Sequence, residues 1–180
     1  MGTDVFALIT RWEPMVDAFR SSGSLDFYWN ALPKLLPYAW QHRISGGYGF
    51  VEAAWYYDAL REHLPVHVRT PADAFVRMLY ARLLFAEASS DDLKADSGGQ
   101  GDECVLYALR PSSVRSALER FDSVPWDALS EIGARTVDPP RTGDRYVPDF
   151  DAFETVLYQH CRWLRDAAAR DHGVVAIISQ

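Results

Sequence analysis

Residues 151–178 read DAFETVLYQHCRWLRDAAARDHGVVAII and contain the clearest structural pattern in the chain. Asp151 and Glu154 have the spacing of a capping box, and apolar residues follow at intervals of three and four until Gly173 ends the run. The next five residues, Val174 to Ile178, are apolar and mostly β-branched, which is typical of a buried strand. The pattern predicts a long helix that leads into a strand docked in a sheet.

Two other short runs are β-prone, over residues 5–10 and 104–109. In most of the remaining chain the apolar residues recur at helical intervals, most clearly over residues 50–63 and 71–88. We therefore predict an α+β fold that is dominated by helices. Its small sheet should include the N-terminal strand, the strand at 103–109 and the C-terminal strand.

The length of 180 residues is typical of one domain, so residues 1–180 are predicted to form a single globular domain. Residues 89–102 contain four Asp and three Gly with one Leu, which is too little apolar surface to fold alone. We expect a flexible acidic loop there. Residues 24–37 have helical spacing interrupted by Pro33 and Pro37, which predicts short or kinked helices.

The chain is acidic, with a formal net charge of -7, 48% hydrophobic residues and 24% charged residues. This charge repels phosphate backbones and anionic lipids, so it disfavours nucleic acid and membrane surfaces and favours a cationic protein partner.

The first ten residues include Asp4 and lack the basic flank of a signal peptide, which predicts a cytoplasmic location. Cys104 and Cys161 have apolar neighbours, so both are predicted to be buried, reduced thiols.

Ten of the 24 aromatic residues fall between Phe27 and Tyr57, on both sides of a glycine-rich turn at 43–50. Such a density of rings indicates either an unusually aromatic core or a recognition surface. The turn precedes a predicted helix whose free N–H groups could hold an anion, although a tight turn that lets helices pack closely needs the same glycines. The candidate binding residues are Trp29, Trp40, Arg43, Gly46, Gly47, Tyr48, Trp55 and Tyr56.

No catalytic or metal-binding motif accompanies these rings in the sequence. The five histidines form no zinc pattern, and the glycine turn lacks both the Gly-Lys-Ser ending and a convincing preceding strand of a phosphate loop. His160 lies on the apolar stripe of the last helix and is predicted to be a core residue, although it could meet Cys104 across the core. Glu52, Asp58 and Glu62 share one side of a helix, where they either face solvent or bind a cation. We predict no cofactor and no metal, and we favour a non-enzymatic role.

The last third of the chain carries a resemblance to a known family. Residues Tyr107-Ala108-Leu109-Arg110-Pro111-Ser112-Ser113-Val114 form a strand that runs into a proline-started helix. Residues 164–170 have the pattern Leu-x-x-x-Ala-Ala, and Gly173-Val174-Val175 begins a terminal strand. In these features residues 103–180 resemble the YfbM-like small bacterial proteins. The resemblance implies a compact α/β domain and supplies no catalytic residue, and the aromatic half and the acidic loop lie outside it.

Two functional hypotheses follow from the rings and the charge. The first is a small cytoplasmic binding protein that covers a cationic partner with an acidic, aromatic-rich surface, as an immunity protein blocks a toxin. The second is a small enzyme or ligand-binding domain with a pocket at the glycine-rich turn 45–49, walled by Trp29, Trp40 and Trp55. The position of these rings, in a core or on a surface, discriminates between them.

Overall fold

The structure is a computed structural model that describes residues 4–24, 40–45, 48–85, 91–99, 101, 104–136 and 147–179. Within these ranges there are four strands: β1 Asp4–Thr10, β2 Trp40–Ser45, β3 Val105–Leu109 and β4 Gly173–Ser179. The same ranges contain seven α-helices: α1 Trp12–Ser22, α2 Tyr48–Arg61, α3 Val66–Tyr80, α4 Asp92–Asp96, α5 Pro111–Ser123, α6 Trp126–Thr136 and α7 Phe150–Ala168. A π-helical turn, Ala81–Phe85, continues α3. The short helices predicted for 24–37 lie almost wholly outside the described residues.

The four strands form one antiparallel sheet in the order β2-β1-β4-β3. Val5 on β1 lies opposite Ile44 on one side and Ile178 on the other. The three predicted strands are all present, and the helix-dominated α+β class is confirmed. The terminal strand β4 pairs with both β1 and β3, so the last residues of the pattern at 151–178 lie in the middle of the sheet.

Strand β2 was not predicted from the sequence. Its six residues include Gln41, His42 and Arg43, which weaken the apolar, β-branched signal that identifies a strand. Hydrogen bonding to β1, which is strongly β-prone, stabilises the extended conformation that the sequence of β2 alone favours only weakly. The expectation that no convincing strand precedes the glycine-rich turn is therefore wrong, because β2 ends at Ser45 and α2 begins at Tyr48.

Helices pack on both faces of the sheet because alternate strand residues point to opposite sides. On one face the strand residues Val5, Ala7, Ile9, Tyr107, Leu109, Val174 and Ala176 join the larger core with residues of α2, α3, α5, α6 and α7. On the other face Leu8, Val105, Ala108, Val175 and Ile177 pack with Trp12, Met15, Val16 and Phe19 of α1 and Leu93 of α4. The register of β3 shifts between Val105 and Tyr107, and this irregularity places Leu106 with the larger core.

Helix α7 confirms the apolar helical stripe that was predicted after residue 151. Its buried residues include Phe153, Leu157, His160, Cys161 and Leu164, which all belong to the predicted stripe. The cap differs from the predicted one: the side chain of Asp149 accepts a hydrogen bond from the backbone N–H of Ala152 at 2.8 Å. The N-cap therefore lies at Asp149, two residues before the expected cap at Asp151, and the helix begins at Phe150.

The acidic segment 89–102 contains the short helix α4 where an exposed loop was expected. Asp91 caps this helix by accepting from the backbone N–H of Lys94, and Leu93 is buried against the sheet. One leucine is too little to fold the segment alone, but it is enough to dock the segment on an existing core. Flexibility of the remaining residues of 89–102 stays a prediction, as does the single domain over 1–180.

Candidate functional site

The predicted binding residues fall into three groups. Trp29, Gly46 and Gly47 lie outside the described residues. Trp40 and Arg43 are placed on strand β2, and Tyr48 is the first residue of α2. Only Trp55 and Tyr56 have described side chains, so the pocket at 45–49 and the binding role of these eight residues stay predictions.

Trp55 and Tyr56 are neighbours on α2 with opposite surroundings. Trp55 is 44% exposed, whereas Tyr56 is buried and stacks on Phe153 with ring centroids 5.1 Å apart. Burial, followed by the carboxylates of Asp149 and Asp151, raises the pKa of Tyr56 to about 12. Of the two alternatives for the aromatic cluster, core or surface, Tyr56 belongs to the core, and its binding role stays a prediction.

The rings next to Tyr56 are also core residues. Phe50 stacks on Trp163 at 5.4 Å, and Tyr57 stacks on Phe153 at 6.1 Å. The hydroxyl of Tyr57 donates to Asp73, whose carboxylate also receives two hydrogen bonds from Arg61. The described rings of 50–57 therefore contribute mainly to an aromatic core, and Trp55 is the exposed ring among them.

Glu52 is another residue of α2 whose position differs from the expectation. It was placed on a solvated or cation-binding stripe with Asp58 and Glu62, and these two residues are exposed. Glu52 is instead buried, and its carboxylate accepts a hydrogen bond of 3.0 Å from the backbone N–H of Val147. The three carboxylates therefore do not form one surface. A buried backbone donor needs a partner, and sequence spacing does not show which side chain supplies it.

His160 is confirmed as a core residue. Its Nε2 lies 2.8 Å from the hydroxyl of Tyr80 and its Nδ1 lies 2.9 Å from the hydroxyl of Tyr107. Burial lowers the pKa of His160 to about 3 and raises the pKa of both tyrosines. All three groups are therefore neutral near pH 7, and the neutral imidazole uses one nitrogen as donor and one as acceptor.

The two cysteines differ from each other. Cys161 is buried, as predicted, and burial raises the pKa of its thiol. Cys104 is exposed, so the prediction of a buried thiol is wrong at this position and the two residues His160 and Cys104 do not meet across the core. The apolar run that was assigned to Cys104 begins one residue later, at Val105, where β3 starts.

A groove of about 550 Å³ lies between α1, α4 and the start of α5. We call it the charged groove. Its lining combines the apolar residues Trp12, Val16 and Pro111 with the polar or charged residues Glu13, Asp17, Arg20, Asp96, Arg110, Ser112, Arg115 and Asp171. Its size lies within the range of small-molecule sites in proteins.

Arg110 fixes one wall of the charged groove. Its guanidinium lies 3.2 Å from carboxylate oxygens of both Asp92 and Asp96, and its backbone N–H donates to Asp92 at 2.8 Å. The indole N–H of Trp12 donates to Asp96 at 2.7 Å. These acidic residues belong to the segment that was predicted to be a flexible acidic loop. They instead attach α4 to α1 and to the junction between β3 and α5, which no local spacing in the sequence indicates.

A second surface feature is a group of three rings that we call the tyrosine patch, formed by the exposed Tyr158, the half-buried Trp126 and the buried Phe121 beneath them. The centroids of the three rings are 4.8, 5.6 and 6.1 Å apart, and Tyr158 is 40% exposed. Trp126 is held in place because its indole N–H donates to the backbone carbonyl of Phe121 at 3.0 Å. The patch joins α5, α6 and α7.

Charged side chains of both signs lie around the tyrosine patch, and the guanidinium of Arg165 lies 5.6 Å from the centroid of the Phe121 ring. Partial burial, then the charge of Glu154, and more weakly that of Asp127, raise the pKa of Tyr158, against the opposing charge of Arg165. Partial burial and the charge of Asp151 also raise the pKa of Glu154. The patch is thus an aromatic surface whose border carries Glu154, Asp127 and Arg165. No local spacing in the sequence indicates the patch, because its rings come from three helices.

Other functional groups are sparse in the part of the chain that the structure describes. No group of three or more His, Cys, Asp and Glu residues there could hold a metal ion. Among the same residues, no helix has the length and apolar character needed to cross a membrane.

Comparison with known proteins supports the fold and assigns no activity. No protein-family model and no curated protein matches the chain. Among solved structures the chain is similar to YfbM from Escherichia coli, a protein of unknown function, with a TM-score of 0.51 and 9% identity. The similarity covers 99% of this chain and 100% of YfbM. The YfbM-like resemblance of residues 103–180 is therefore confirmed at the level of the fold, and the N-terminal half, which the motifs did not include, belongs to the same fold.

Proposed function

We propose that the protein is a small acidic binding protein that attaches to a positively charged protein through the tyrosine patch. The observation that carries this proposal is the exposure of Tyr158 beside Trp126, on rings that are ordered by their packing on Phe121. Aromatic side chains that are rigid before binding supply contact area at a small entropic cost, and Tyr and Trp are enriched at the energetic centres of interfaces.

The charge around the patch supports a cationic partner. Glu154 and Asp127 act on Tyr158 electrostatically, and the whole chain has a formal net charge of -7. A positively charged surface would approach this border faster than a neutral one, and the rings would then hold it. An immunity-type role, in which the protein blocks a cationic toxin, is the specific form of this function that we propose.

The test compares two exposed aromatic residues of similar exposure, Tyr158 at 40% and Trp55 at 44%. Wild-type protein is immobilised, basic proteins of the source cell that bind it are purified, and their affinity is measured by titration calorimetry. We expect Tyr158→Ala to weaken binding by at least about tenfold, because a truncated tyrosine at the centre of an interface typically removes more than about 1.4 kcal/mol. Trp55→Ala is the matched control and should bind as the wild type does.

The charged border gives a second, independent readout. Glu154→Gln and Asp127→Asn should slow association and reduce its dependence on ionic strength, with little effect on dissociation. The proposal is wrong if the bound protein is acidic, if Tyr158→Ala binds normally, or if Trp55→Ala loses binding equally. The immunity-type form further requires the partner to be a toxin encoded beside this gene.

A further inference from the structure

The charged groove is separate from the tyrosine patch and shares none of its residues. Trp12 and Val16 form an apolar floor and are almost completely buried. Gly173 lies against the Trp12 ring, which leaves no room there for a side chain. The floor is therefore fixed by the packing of α1 on β4, and the groove keeps its shape without a ligand.

The walls of the groove carry both signs of charge. Arg20 on α1 pairs with Asp17 at 3.0 Å and also donates to the backbone carbonyl of Asp96, and Arg115 on α5 pairs with Asp171 at 2.7 Å. All four of these side chains are about half exposed or more. Exposed ion pairs contribute little to stability, so a ligand can replace one partner at small cost. Arg110 differs, because two carboxylates hold it.

From this arrangement we infer that the charged groove binds a small zwitterion with an apolar body, such as a short peptide with free termini. Arg20 and Arg115 receive its carboxylate, Glu13 on the first turn of α1 receives its ammonium group, and the floor receives its apolar side chain. A ligand of one sign fits less well. A pure anion also meets Glu13, Asp17, Asp96 and Asp171, and a pure cation meets the three arginines.

Three forms of one dipeptide test the charge requirement by titration calorimetry on the full chain. The probes are glycyl-leucine, its N-acetyl form, which keeps only the negative charge, and its C-terminal amide, which keeps only the positive charge. We expect glycyl-leucine to bind and each singly charged form to bind about tenfold or more weakly, because a hydrogen bond to a charged group typically changes affinity by that factor. Equal binding of the three forms, or no binding of glycyl-leucine at millimolar concentration, overturns the inference.

A pair of double variants locates the binding site. Arg20→Gln/Arg115→Gln should weaken glycyl-leucine by about tenfold or more and should not weaken the C-terminal amide, since the amide lacks the carboxylate that the arginines receive and is repelled by their charge. Arg135→Gln/Arg162→Gln removes the same charge outside the groove and should change neither affinity. All four arginines are exposed, so folding should be preserved, and thermal unfolding checks this. A loss in the control variant equal to that in the groove variant places binding elsewhere. Because the tyrosine patch is intact in these proteins, failure here does not affect the proposed partner site.

Discussion

Helix α7 has two faces that use similar residues for opposite purposes. His160 and Tyr158 are two positions apart, yet His160 is completely buried and Tyr158 is 40% exposed. On the inner face the ring nitrogens of His160 are hydrogen-bonded to Tyr80 and Tyr107, and on the outer face Tyr158 is exposed beside the charges of Glu154, Asp127 and Arg165. Two positions on a helix differ by about 200°, so the angular position of a ring on the helix determines whether it is buried or exposed.

The same contrast holds between the two aromatic regions. The described rings of 48–57 lie mostly in the core, with Phe50, Tyr56 and Tyr57 packed on α7, although this is the densest aromatic stretch in the sequence. The tyrosine patch collects rings that are 37 residues apart at its extremes, Phe121 and Tyr158. The densest aromatic stretch of the sequence therefore packs mainly in the core, whereas the patch forms where three helices meet.

The largest effect should come from the inner face at Phe153. This ring stacks on both Tyr56 and Tyr57 and is completely buried. Phe153→Ala should lower the free energy of unfolding by about 3–5 kcal/mol, because it removes buried apolar area and leaves a cavity between α2 and α7. Urea denaturation followed by circular dichroism measures this change. A loss below about 1 kcal/mol would mean that the inner face is not the tightly packed core described here.

A somewhat smaller effect is expected from His160→Leu. The substitution leaves the hydroxyls of Tyr80 and Tyr107 buried without the imidazole, and each unsatisfied hydroxyl costs about 1–3 kcal/mol. We expect the free energy of unfolding to fall by about 2–4 kcal/mol. The control is the triple variant Tyr80→Phe/Tyr107→Phe/His160→Leu, which removes both hydroxyls and should recover most of the loss. If the triple variant is as unstable as the single one, packing rather than hydrogen bonding explains the effect.

The pH dependence of stability tests the same group without truncating it. Burial lowers the pKa of His160 from an ordinary value of 6.5 to about 3 in the folded state. Between these values the unfolded chain binds a proton that the folded chain does not, so stability falls as the pH falls below 6.5 and is unaffected by this group above it. The free energy of unfolding should decrease by about 1.4 kcal/mol per pH unit in that window. The triple variant without His160 should lack this component, and an identical slope in both proteins would contradict the assignment.

The elements of this fold that were predictable have a strong local signal. The strands β1, β3 and β4 and the buried stripe of α7 follow from apolar runs and helical spacing alone, and the position of His160 follows from that stripe. Strand β2 could not be predicted in this way, because its side chains are mostly polar and its pairing with β1 is a tertiary contact. Helix α4 could not be predicted either, because it is held by the burial of Leu93 and by carboxylates paired with Arg110, which are tertiary contacts.

The candidate sites were less predictable than the fold. The charged groove needs α1, α4 and α5 to meet, and its residues span positions 12 to 171 of the sequence. Glu52 was read as part of a surface stripe because its spacing matches Asp58 and Glu62, but the backbone N–H of Val147, 95 positions away, determines its burial. Spacing within one helix describes which residues share a face, and it does not show which distant segment covers that face.

The smallest effect on stability should come from the outer face, at Tyr158→Ala. This ring contributes contacts to Phe121 and Trp126 that are worth about 1 kcal/mol together, and its exposure means that little further apolar area returns to water. We expect the free energy of unfolding to fall by no more than about 1 kcal/mol, measured by the same urea denaturation as for Phe153→Ala. Tyr158→Phe keeps the ring and should be neutral. A loss above about 2 kcal/mol would make Tyr158 a core residue, and its exposure would then reflect incomplete packing and not a surface kept free for a partner. A small loss, beside the large one at Phe153, leaves the ring free to act in binding because the fold does not depend on it.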